Sequence, residues 1–382
     1  MPHSTSYARL TPSRARLVLA AIVAAAVLAV AVTVSPLASS NLRAGVKGKN
    51  DVALYQAEVE RIQRGQGYYE AAAAELAPRG YPTRSVFNWR MPLPMWLLGK
   101  LPVAWFGKLL LGGLSLLLAV MALQALGREQ HGGPNDSCKE PSSASGLGIC
   151  TVAMTLLLLN GPLMLTVLDD LYVVPVLWAG VFLGLSVSAF GLNRPYLGVG
   201  LGIAAVFFRE LALPYCLLGA AIAWWRGRRG ELLAWLLGLT TWCIFFALHC
   251  WHVSGLIGPE ARAHQHGWIQ FGGAGFVIST VQMNAYLLVL PQWVTALYLV
   301  AALVGFAGWN TPLGVRMGLS ACLFLAAFAA VGQSFNQYWG SLIAPLLCFG
   351  AARFPASITE ICRAAAKGRA WNLPSELRAG TD

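Results

Sequence analysis

Residues 50–69 read NDVALYQAEVERIQRGQGYY, and they lie in a polar segment, 39–92, that separates two apolar runs at 17–38 and 94–126. Further apolar runs follow at 147–168, 171–190, 196–208, 211–225, 231–251, 284–307, 315–333 and 340–352. A run of about 20 apolar residues can cross the hydrocarbon core of a bilayer as a helix. The pattern predicts one domain, 1–382, that is an all-α polytopic transmembrane helical bundle of about ten membrane segments with a partly helical first extracytoplasmic loop.

The composition excludes an ordinary soluble protein and gives no support to nucleic-acid binding. The chain has 382 residues, of which 57% are hydrophobic and 11% are charged, whereas average soluble proteins carry about 25% charged residues. The net charge of +11 is expected from the anchoring of membrane helices on the cytoplasmic side. The eight cysteines show no C-x-x-C spacing, which predicts small buried side chains without a disulfide or zinc framework.

The basic N-terminus sets the predicted orientation. Three arginines precede the run at 17–38, whose 22 residues exceed the apolar core of about 7–15 residues in a secretory signal. We therefore expect an uncleaved first span, with a cleaved signal peptide as the alternative. Positive charge stays in the cytoplasm, which assigns both termini, a flexible loop at 127–146 and a tail at 353–382 to the cytoplasmic side.

The first extracytoplasmic loop departs from this charge rule. Segment 39–92 holds eight basic residues against five acidic ones. Long loops cross a membrane regardless of their charge, so the predicted topology stands. A translocated loop with an excess of basic residues indicates an anionic ligand.

Asp51 opens a predicted amphipathic helix over 51–65. Val52, Tyr55 and Val59 recur on one face at i, i+3 and i+7, which is typical of a helix lying in the membrane interface. Asp51 has two interpretations that are compatible with each other. It is an N-cap of the helix, or it is a general base held at the bilayer surface, where an acceptor hydroxyl meets a lipid-borne donor.

The apolar stretch 196–225 carries a charged pair, Arg209-Glu210, at its middle. A helix of that length would span about 45 Å, so we expect two short helices that turn at this pair. Broken helices within a membrane border protein or a water-filled cavity. Because adjacent helical residues point apart, the two side chains are expected to have different partners, with Arg209 as a candidate phosphate contact.

Other polar groups lie near predicted span ends. Asp169-Asp170 is either a polar hinge, with Asp170 as a helix cap, or a second acidic group for metal or sugar binding. His264 and His266 lie in a glycine-rich outside loop without a zinc pattern and are candidates for interfacial or ligand contacts. The segment 336–340, Asn-Gln-Tyr-Trp-Gly, belongs either to an aromatic belt or to a substrate site.

These motifs together resemble the GT-C class of multi-spanning bacterial glycosyltransferases, which use polyprenyl-phosphate-linked sugars. That class has an N-terminal span and then a large outside loop that opens with a carboxylate and an interfacial helix. The matching motifs are Asp51/Tyr55, Gly65–Tyr69, Phe87-Asn88-Trp89-Arg90-Met91-Pro92, Arg209-Glu210 before Leu213-Pro214, and Tyr338-Trp339 before Pro345. The resemblance runs over most of the chain.

The resemblance implies roles for these residues at the bacterial cytoplasmic (inner) membrane. Asp51 would be the catalytic base of an inverting sugar transfer to an extracytoplasmic acceptor that the sequence does not identify, and Arg90, Arg209 and Arg84 would bind the donor phosphate. The candidate substrate contacts are Tyr55, Tyr68, Tyr69, Glu210, His264, His266, Gln337 and Tyr338. No cofactor is implied, and a divalent metal stays open because the loop opens with one acid where some relatives have an acidic pair.

Two other classes of membrane protein remain as alternatives. One is a flippase for lipid-linked sugars or a transporter, and the other is a structural membrane subunit without activity. Transporters often have inverted repeats and paired broken helices, whereas this sequence shows one broken helix and no internal repeat.

Overall fold

The computed structural model describes residues 5–35, 51–130, 144–259, 261–263 and 270–370, and within them the chain is helical, with no strand. The α-helices are α1 Pro12–Val34, α2 Asp51–Gln63, α3 Tyr68–Leu76, α4 Pro92–Gly99, α5 Phe106–Gln130, α6 Ala144–Met164, α7 Pro175–Gly191, α8 Pro195–Phe208, α9 Leu213–Trp225, α10 Arg229–Leu256, α11 Gly273–Val281, α12 Ala285–Leu288, α13 Gln292–Ala307, α14 Pro312–Ala330 and α15 Ala344–Ala370. Short 3-10 helices are Ser6–Arg9, Val86–Asn88, Leu171–Val173, Glu210–Ala212 and Ser334–Leu342.

Several of these helices have the length and composition of membrane spans. Four helices are each long and apolar enough to cross a membrane: Pro12–Val34, Phe106–Glu129, Arg229–Leu256 and Pro312–Ala330. A fifth span results if Phe335–Leu342 and Ala344–Lys367, which meet at a bend of 66°, count as one. The described residues thus form the predicted all-helical protein, with four or five helices that could cross a membrane. Each predicted apolar run falls on helical residues.

Two predicted runs each divide into two α-helices in the structure. The run at 94–126 divides into α4 and α5, and the run at 284–307 divides into α12 and α13. Pro102 and Pro291 lie in the breaks. Proline provides no backbone N–H and disfavours a helical conformation of the residue before it, which explains both interruptions.

The segments predicted as a loop at 127–146 and as a tail at 353–382 are helical in their described parts. Helix α5 continues to Gln130, and α15 continues to Ala370. Contacts between distant parts of the chain hold these ends: Arg353 Nη2 donates to Glu129 Oε2 at 3.1 Å, and the Thr5 backbone N donates to Glu360 Oε2 at 2.6 Å.

The described cysteines are all free. Cys216 and Cys348 are buried, but Cys150, Cys243, Cys322 and Cys362 are exposed, so the expectation of burial is wrong for these four. Cys243 and Cys322 lie on long apolar helices, on faces that the rest of the protein does not cover. An apolar run in a membrane protein has such a face, because the bilayer itself accepts apolar side chains.

Glycines allow the helices to pack backbone against backbone. A Cβ atom at Gly305 would lie 1.8 Å from the carbonyl oxygen of Gly350, where α13 crosses α15. A Cβ atom at Gly340 would lie 1.7 Å from the carbonyl oxygen of Thr280. Small residues at helix crossings are typical of bundles in membranes, where close packing takes the place of the hydrophobic effect.

The turns between helices gather at two ends of the bundle. At one end, a single cavity is lined by Glu129, Asn193, Arg228 and Pro312, which belong to four different turns or helix ends. The N-terminal 3-10 helix joins them, because Ser6–Arg9 precedes α1 and contacts α15. We call this the basic end, and it comprises 5–10, 128–130, 192–194, 226–231, 308–316 and 353.

The opposite end, which we call the loop end, contains the segment after the first span. Arg90 Nη2 donates to Tyr338 Oη at 3.1 Å, and the Phe87 and Phe246 rings stack 6.3 Å apart. Helix α2 packs against α3, α4 and the 3-10 helix Leu171–Val173. The loop end comprises 51–92, 171–173, 209–212, 249–259, 261–263 and 334–342.

Replacing Gly305 with alanine tests the α13–α15 crossing. The added methyl group overlaps the Gly350 carbonyl, and overpacking of this kind costs about 1–3 kcal/mol. We expect a lower unfolding temperature of the detergent-solubilised protein. The matched control is Gly113→Ala in α5, where a Cβ atom would meet no described atom within 4 Å, and where alanine favours the helix by about 1 kcal/mol. Equal unfolding temperatures for the two variants would contradict the crossing.

Candidate functional site

Helix α2 positions the first candidate residue. Its inward face buries Leu54, Tyr55, Glu58, Val59 and Ile62. The predicted helix over 51–65 is therefore present, over Asp51–Gln63, and its apolar face is covered by protein. Packing of this face fixes the orientation of Asp51, the first residue of the helix.

The Asp51 carboxylate is held from across the loop. Tyr81 Oη donates to Asp51 Oδ1 at 2.6 Å. Burial raises the pKa of the Tyr81 phenol, and its hydrogen bond to Asp51 raises that pKa further, so the phenol remains a donor. A carboxylate in the first turn is also favoured by the helix dipole. The contact fixes one carboxylate oxygen.

Arg90 connects this loop to the turn before α15. Its guanidinium donates from Nε to Tyr55 Oη at 3.0 Å, from Nη2 to Tyr338 Oη at 3.1 Å and from Nη1 to the Phe87 carbonyl at 2.6 Å. Arg90 has a φ of 56°, which is uncommon for a residue with a side chain. Tyr68 Oη donates to the Trp89 carbonyl and lies 3.3 Å from the Arg90 carbonyl oxygen, which stabilises this backbone. Strained backbone of this kind clusters at functional sites.

Arg209 lies where the broken helix turns. Helix α8 ends at Phe208, and Arg209 is extended, with φ −150° and ψ 117°. The two halves pack side by side, since Cys216 Sγ lies 3.3 Å from the Gly202 carbonyl oxygen. The predicted pair of short helices turning at Arg209-Glu210 is present in the structure.

The Arg209 side chain is 3% exposed and incompletely paired. Its Nη1 lies 3.2 Å from Glu210 Oε1, an ion pair whose geometry is not that of a hydrogen bond. Among the described residues, Arg209 Nε and Nη1 and Glu210 Oε2 have no hydrogen-bond partner. The expectation that the two side chains have different partners is wrong, because Arg209 is extended and the rule for adjacent helical residues does not apply to it.

Tyr55 lies among these charged groups. Burial raises the pKa of its hydroxyl, while Arg90 lowers it, Asp51 raises it and Arg209 lowers it. Burial lowers the pKa of Arg90, but Tyr338, Tyr55, Asp51 and, least of these, Glu210 together raise it above its ordinary value. Asp51, Arg90 and Arg209 thus act electrostatically on Tyr55, and Glu210 pairs with Arg209. We call these five residues together with Tyr338 the charged cluster.

Two further tyrosines, Tyr68 and Tyr69, are predicted as substrate contacts and lie in the loop end. Tyr68 is buried and holds the backbone at Arg90. Tyr69 Oη lies 3.1 Å from His249 Nδ1 in a hydrogen bond, and its ring stacks on His252 with centroids 4.9 Å apart. Burial raises the pKa of Tyr69 to about 12. Both tyrosines join α3 to neighbouring elements.

Other predicted site residues lie apart from the charged cluster. Arg84 is exposed, and its backbone N donates to the Arg262 carbonyl at 3.2 Å. Asp169 and Asp170 are exposed. Asp170 makes no side-chain cap bond, and α7 begins later, at Pro175, so the predicted cap is wrong.

The remaining candidates are Gln337, His264, His266 and a possible metal site. Gln337 is half-buried beside Tyr338 in a 3-10 helix. His264 and His266 lie outside the described residues. In the part of the chain that the structure describes, no group of three His, Cys, Asp or Glu side chains is arranged to hold a metal ion.

Sequence reasoning missed two polar residues of the loop end, Glu58 and Tyr81, and did not single out a third, Asn336, within the segment 336–340. Glu58 is 2% exposed, and its Oε2 has no hydrogen-bond partner among the described residues. Its spacing from Asp51, i+7, places it on the same helical face and could have identified it. Asn336 is 2% exposed, with an unpartnered Nδ2. Tyr81 gave no signal, because its contact with Asp51 spans 30 residues.

The buried carboxyl group of Glu58 predicts how the stability of the fold depends on pH. Burial raises its pKa from 4.5 to about 8, with Arg90 opposing and Glu75 and Asp51 adding to the rise. The folded protein therefore keeps a proton that the unfolded chain loses, so stability falls as pH rises from about 4.5 to about 8 and then levels off. The slope is at most about 1.4 kcal/mol per pH unit.

Thermal unfolding of Glu58→Gln between pH 5 and pH 9 measures this effect. We expect the variant to lose less stability than the wild type as the pH rises to about 8, because glutamine has no proton to release. Glu60→Gln, an exposed change on the same helix, is the matched control and should retain the wild-type slope. A Glu58→Gln profile parallel to that of the wild type would contradict the burial of a protonated carboxyl.

Comparison with protein-family models, with curated proteins and with solved structures finds no match to this chain. Function has to be inferred from the charged cluster itself.

Proposed function

We propose that this chain is a membrane glycosyltransferase that moves a sugar from a polyprenyl-phosphate-linked donor to an extracytoplasmic acceptor. The observation that carries the proposal is the charged cluster. It combines a carboxylate at a helix start, Asp51, with a buried guanidinium, Arg209, whose N–H groups are not all used. A general base and an anion-binding group are the two functions that such a transfer needs.

In the proposed reaction, an acceptor hydroxyl attacks the anomeric carbon of the donor sugar while Asp51 takes the hydroxyl proton. The bond between the anomeric carbon and the phosphate oxygen breaks, and the lipid phosphate leaves with the electron pair. Because the attack and the departure occur on opposite faces of that carbon, the configuration inverts. A phosphate leaving group needs little acid catalysis, so positioning and charge stabilisation account for most of the rate.

The contacts of the two arginines suggest different roles for them. Arg90 already donates to three protein oxygens, from Tyr55, Tyr338 and Phe87. It is therefore suited to hold the tyrosines and to add positive charge. Arg209 keeps unused donors in a buried position, where charge-assisted hydrogen bonds to phosphate oxygens are strong. We assign the donor phosphate to Arg209, and Glu210 Oε2 is available as an acceptor for a sugar hydroxyl.

The membrane setting follows from the charges at the two ends of the bundle. We propose that the shorter apolar helices, such as Pro175–Gly191 and Gln292–Ala307, also cross the membrane, which gives about ten segments. The basic end then lies in the cytoplasm by the positive-inside rule. Both termini are cytoplasmic, and the loop end faces outward from a bacterial inner membrane.

Asp51→Asn tests the proposed base. The amide retains the size of the side chain but cannot accept the proton, and loss of a general base typically costs about 10²–10⁴-fold in rate. Sugar transfer is measured with membranes and a panel of radiolabelled polyprenyl phosphate sugars. Asp170→Asn, an exposed carboxylate outside the charged cluster, is the control and should keep the wild-type rate. Wild-type transfer by Asp51→Asn would exclude Asp51 as the base.

Arg209→Gln tests the phosphate contact separately. It removes the positive charge while keeping a polar side chain, and we expect a higher KM for the donor with a smaller change in kcat. Unchanged donor KM, in a variant that remains folded, would remove Arg209 from the donor site.

Single-cysteine labelling in a cysteine-free background tests the orientation. Arg84→Cys, at an exposed position of the loop end, should react with a membrane-impermeant thiol reagent added from outside. Arg229→Cys, at an exposed position of the basic end, should react only after the membrane is opened. Labelling of Arg229→Cys in intact cells would overturn the proposed topology.

A further inference from the structure

Two adjoining cavities lie at the basic end, and none of the residues that line them belongs to the charged cluster. One is a groove of about 400 Å³ between α9 and α14. The other is a pocket of about 230 Å³ beneath the turns at 191–193 and 226–228. Arg226, Pro312 and Arg316 line both cavities, so the groove and the pocket lie side by side.

The groove has apolar walls on both sides. Leu218, Ile222 and Trp225 line it from the α9 side, and Val315 and Leu319 line it from α14. Val315 is 38% exposed, Leu319 is 46% exposed and Trp225 is 90% exposed. In a membrane protein such a groove opens to the acyl chains of the bilayer. A tryptophan at the end of an apolar helix marks the level of the lipid headgroups.

The pocket, by contrast, is lined by arginines. The Arg226 guanidinium is exposed and has no hydrogen-bond or ion-pair partner among the described residues. Arg228 Nη1 lies 3.3 Å from Glu231 Oε2. Arg316 is 4% exposed and uses Nη2 for Glu231 Oε1 at 3.1 Å, while its Nη1 is buried without a partner. One carboxylate, Glu231, is thus shared between two arginines, and the third arginine has none.

The acidic group that lines the pocket does not cancel this positive charge. Glu129 Oε2 accepts from Arg353 Nη2 at 3.1 Å, and Thr311 donates its hydroxyl to Oε1 of the same carboxylate. Arg353 itself lies over the Trp309 ring at 3.9 Å. Since Glu129 is neutralised by its own arginine, the pocket keeps an excess of positive charge and unused N–H donors.

We propose that these cavities bind one anionic glycerophospholipid from the leaflet at the basic end. Its phosphate contacts Arg226 and Arg228, Arg316 adds positive charge where the two cavities adjoin, and one acyl chain lies in the groove between α9 and α14. Basic pockets between membrane helices are suited to anionic headgroups. An arginine-lined pocket beside an apolar groove favours a lipid over a free anion, which would make no use of the groove.

The bound lipid would stabilise a specific part of the fold. Helix α9 is the second half of the broken pair, and its first turn follows Arg209 and Glu210. A lipid that fills the space between α9 and α14 holds this helix in place from the basic end. The proposal depends only on the chain being a membrane protein and does not rest on sugar transfer.

The test is binding of defined lipids to the purified protein, measured by native mass spectrometry and by the unfolding temperature in mixed micelles. We expect phosphatidylglycerol to bind and to raise the unfolding temperature. Phosphatidylcholine and inorganic phosphate, which lack the net headgroup charge and the acyl chains respectively, should do neither. An equal effect of phosphatidylcholine, or of inorganic phosphate, would overturn the proposal, because the site would then be unselective or a free-anion site.

Matched variants distinguish lipid binding in this pocket from attraction of the lipid by the positive charge of the basic end as a whole. Arg226→Gln removes the unpartnered cation and should weaken phosphatidylglycerol binding by about fivefold, as expected for one basic residue near a lipid headgroup. Arg229→Gln makes the same charge change on an exposed residue that lines neither cavity, and should bind like the wild type. Val315→Trp fills the groove, keeps every arginine and should also weaken binding. Equal effects of Arg226→Gln and Arg229→Gln, or wild-type binding by Val315→Trp, would overturn the proposal.

Discussion

Charged side chains that are buried in a protein or a membrane need partners, because leaving them unpaired costs far more there than in water. Arg209 carries this constraint at the loop end. It is 3% exposed, it interrupts the helix between 195 and 225, and its own ion pair with Glu210 leaves N–H groups unused. The loop after the first span then supplies Asp51, Arg90 and the tyrosines around it. The break in the helix and the packing of that loop are two parts of one arrangement.

The same constraint distinguishes structural charges from available ones at the basic end. Glu129 and Arg353 lie 3.1 Å apart and join α5 to α15, which are separated by more than 200 residues. Their pairing explains why both helices continue beyond their predicted ends. Arg226 has no such partner among the described residues, and Arg316 keeps one unused nitrogen. Paired charges therefore fasten helices, whereas the cations with unused donors mark places where an anion can bind.

Much of the fold could be predicted from local patterns. The helix from Asp51 and the turn at Arg209-Glu210 follow from periodicity and from the length of an apolar run, which are properties of neighbouring residues. The contact of Tyr81 with Asp51 and the Arg90–Tyr338 contact join residues 30 and 248 positions apart, and no local pattern encodes them. Proline chemistry indicates breaks near Pro102 and Pro291, but the hydrophobicity of both stretches is continuous and predicts single runs.

The most direct test of the central claim is a structure of the protein in lipid nanodiscs with a bound polyprenyl phosphate sugar. The proposed function predicts phosphate density within hydrogen-bonding distance of the Arg209 nitrogens and an anomeric carbon whose open face is turned toward Asp51. Phosphate density remote from Arg209, in a groove that runs through the bilayer, would contradict the account and favour a flippase.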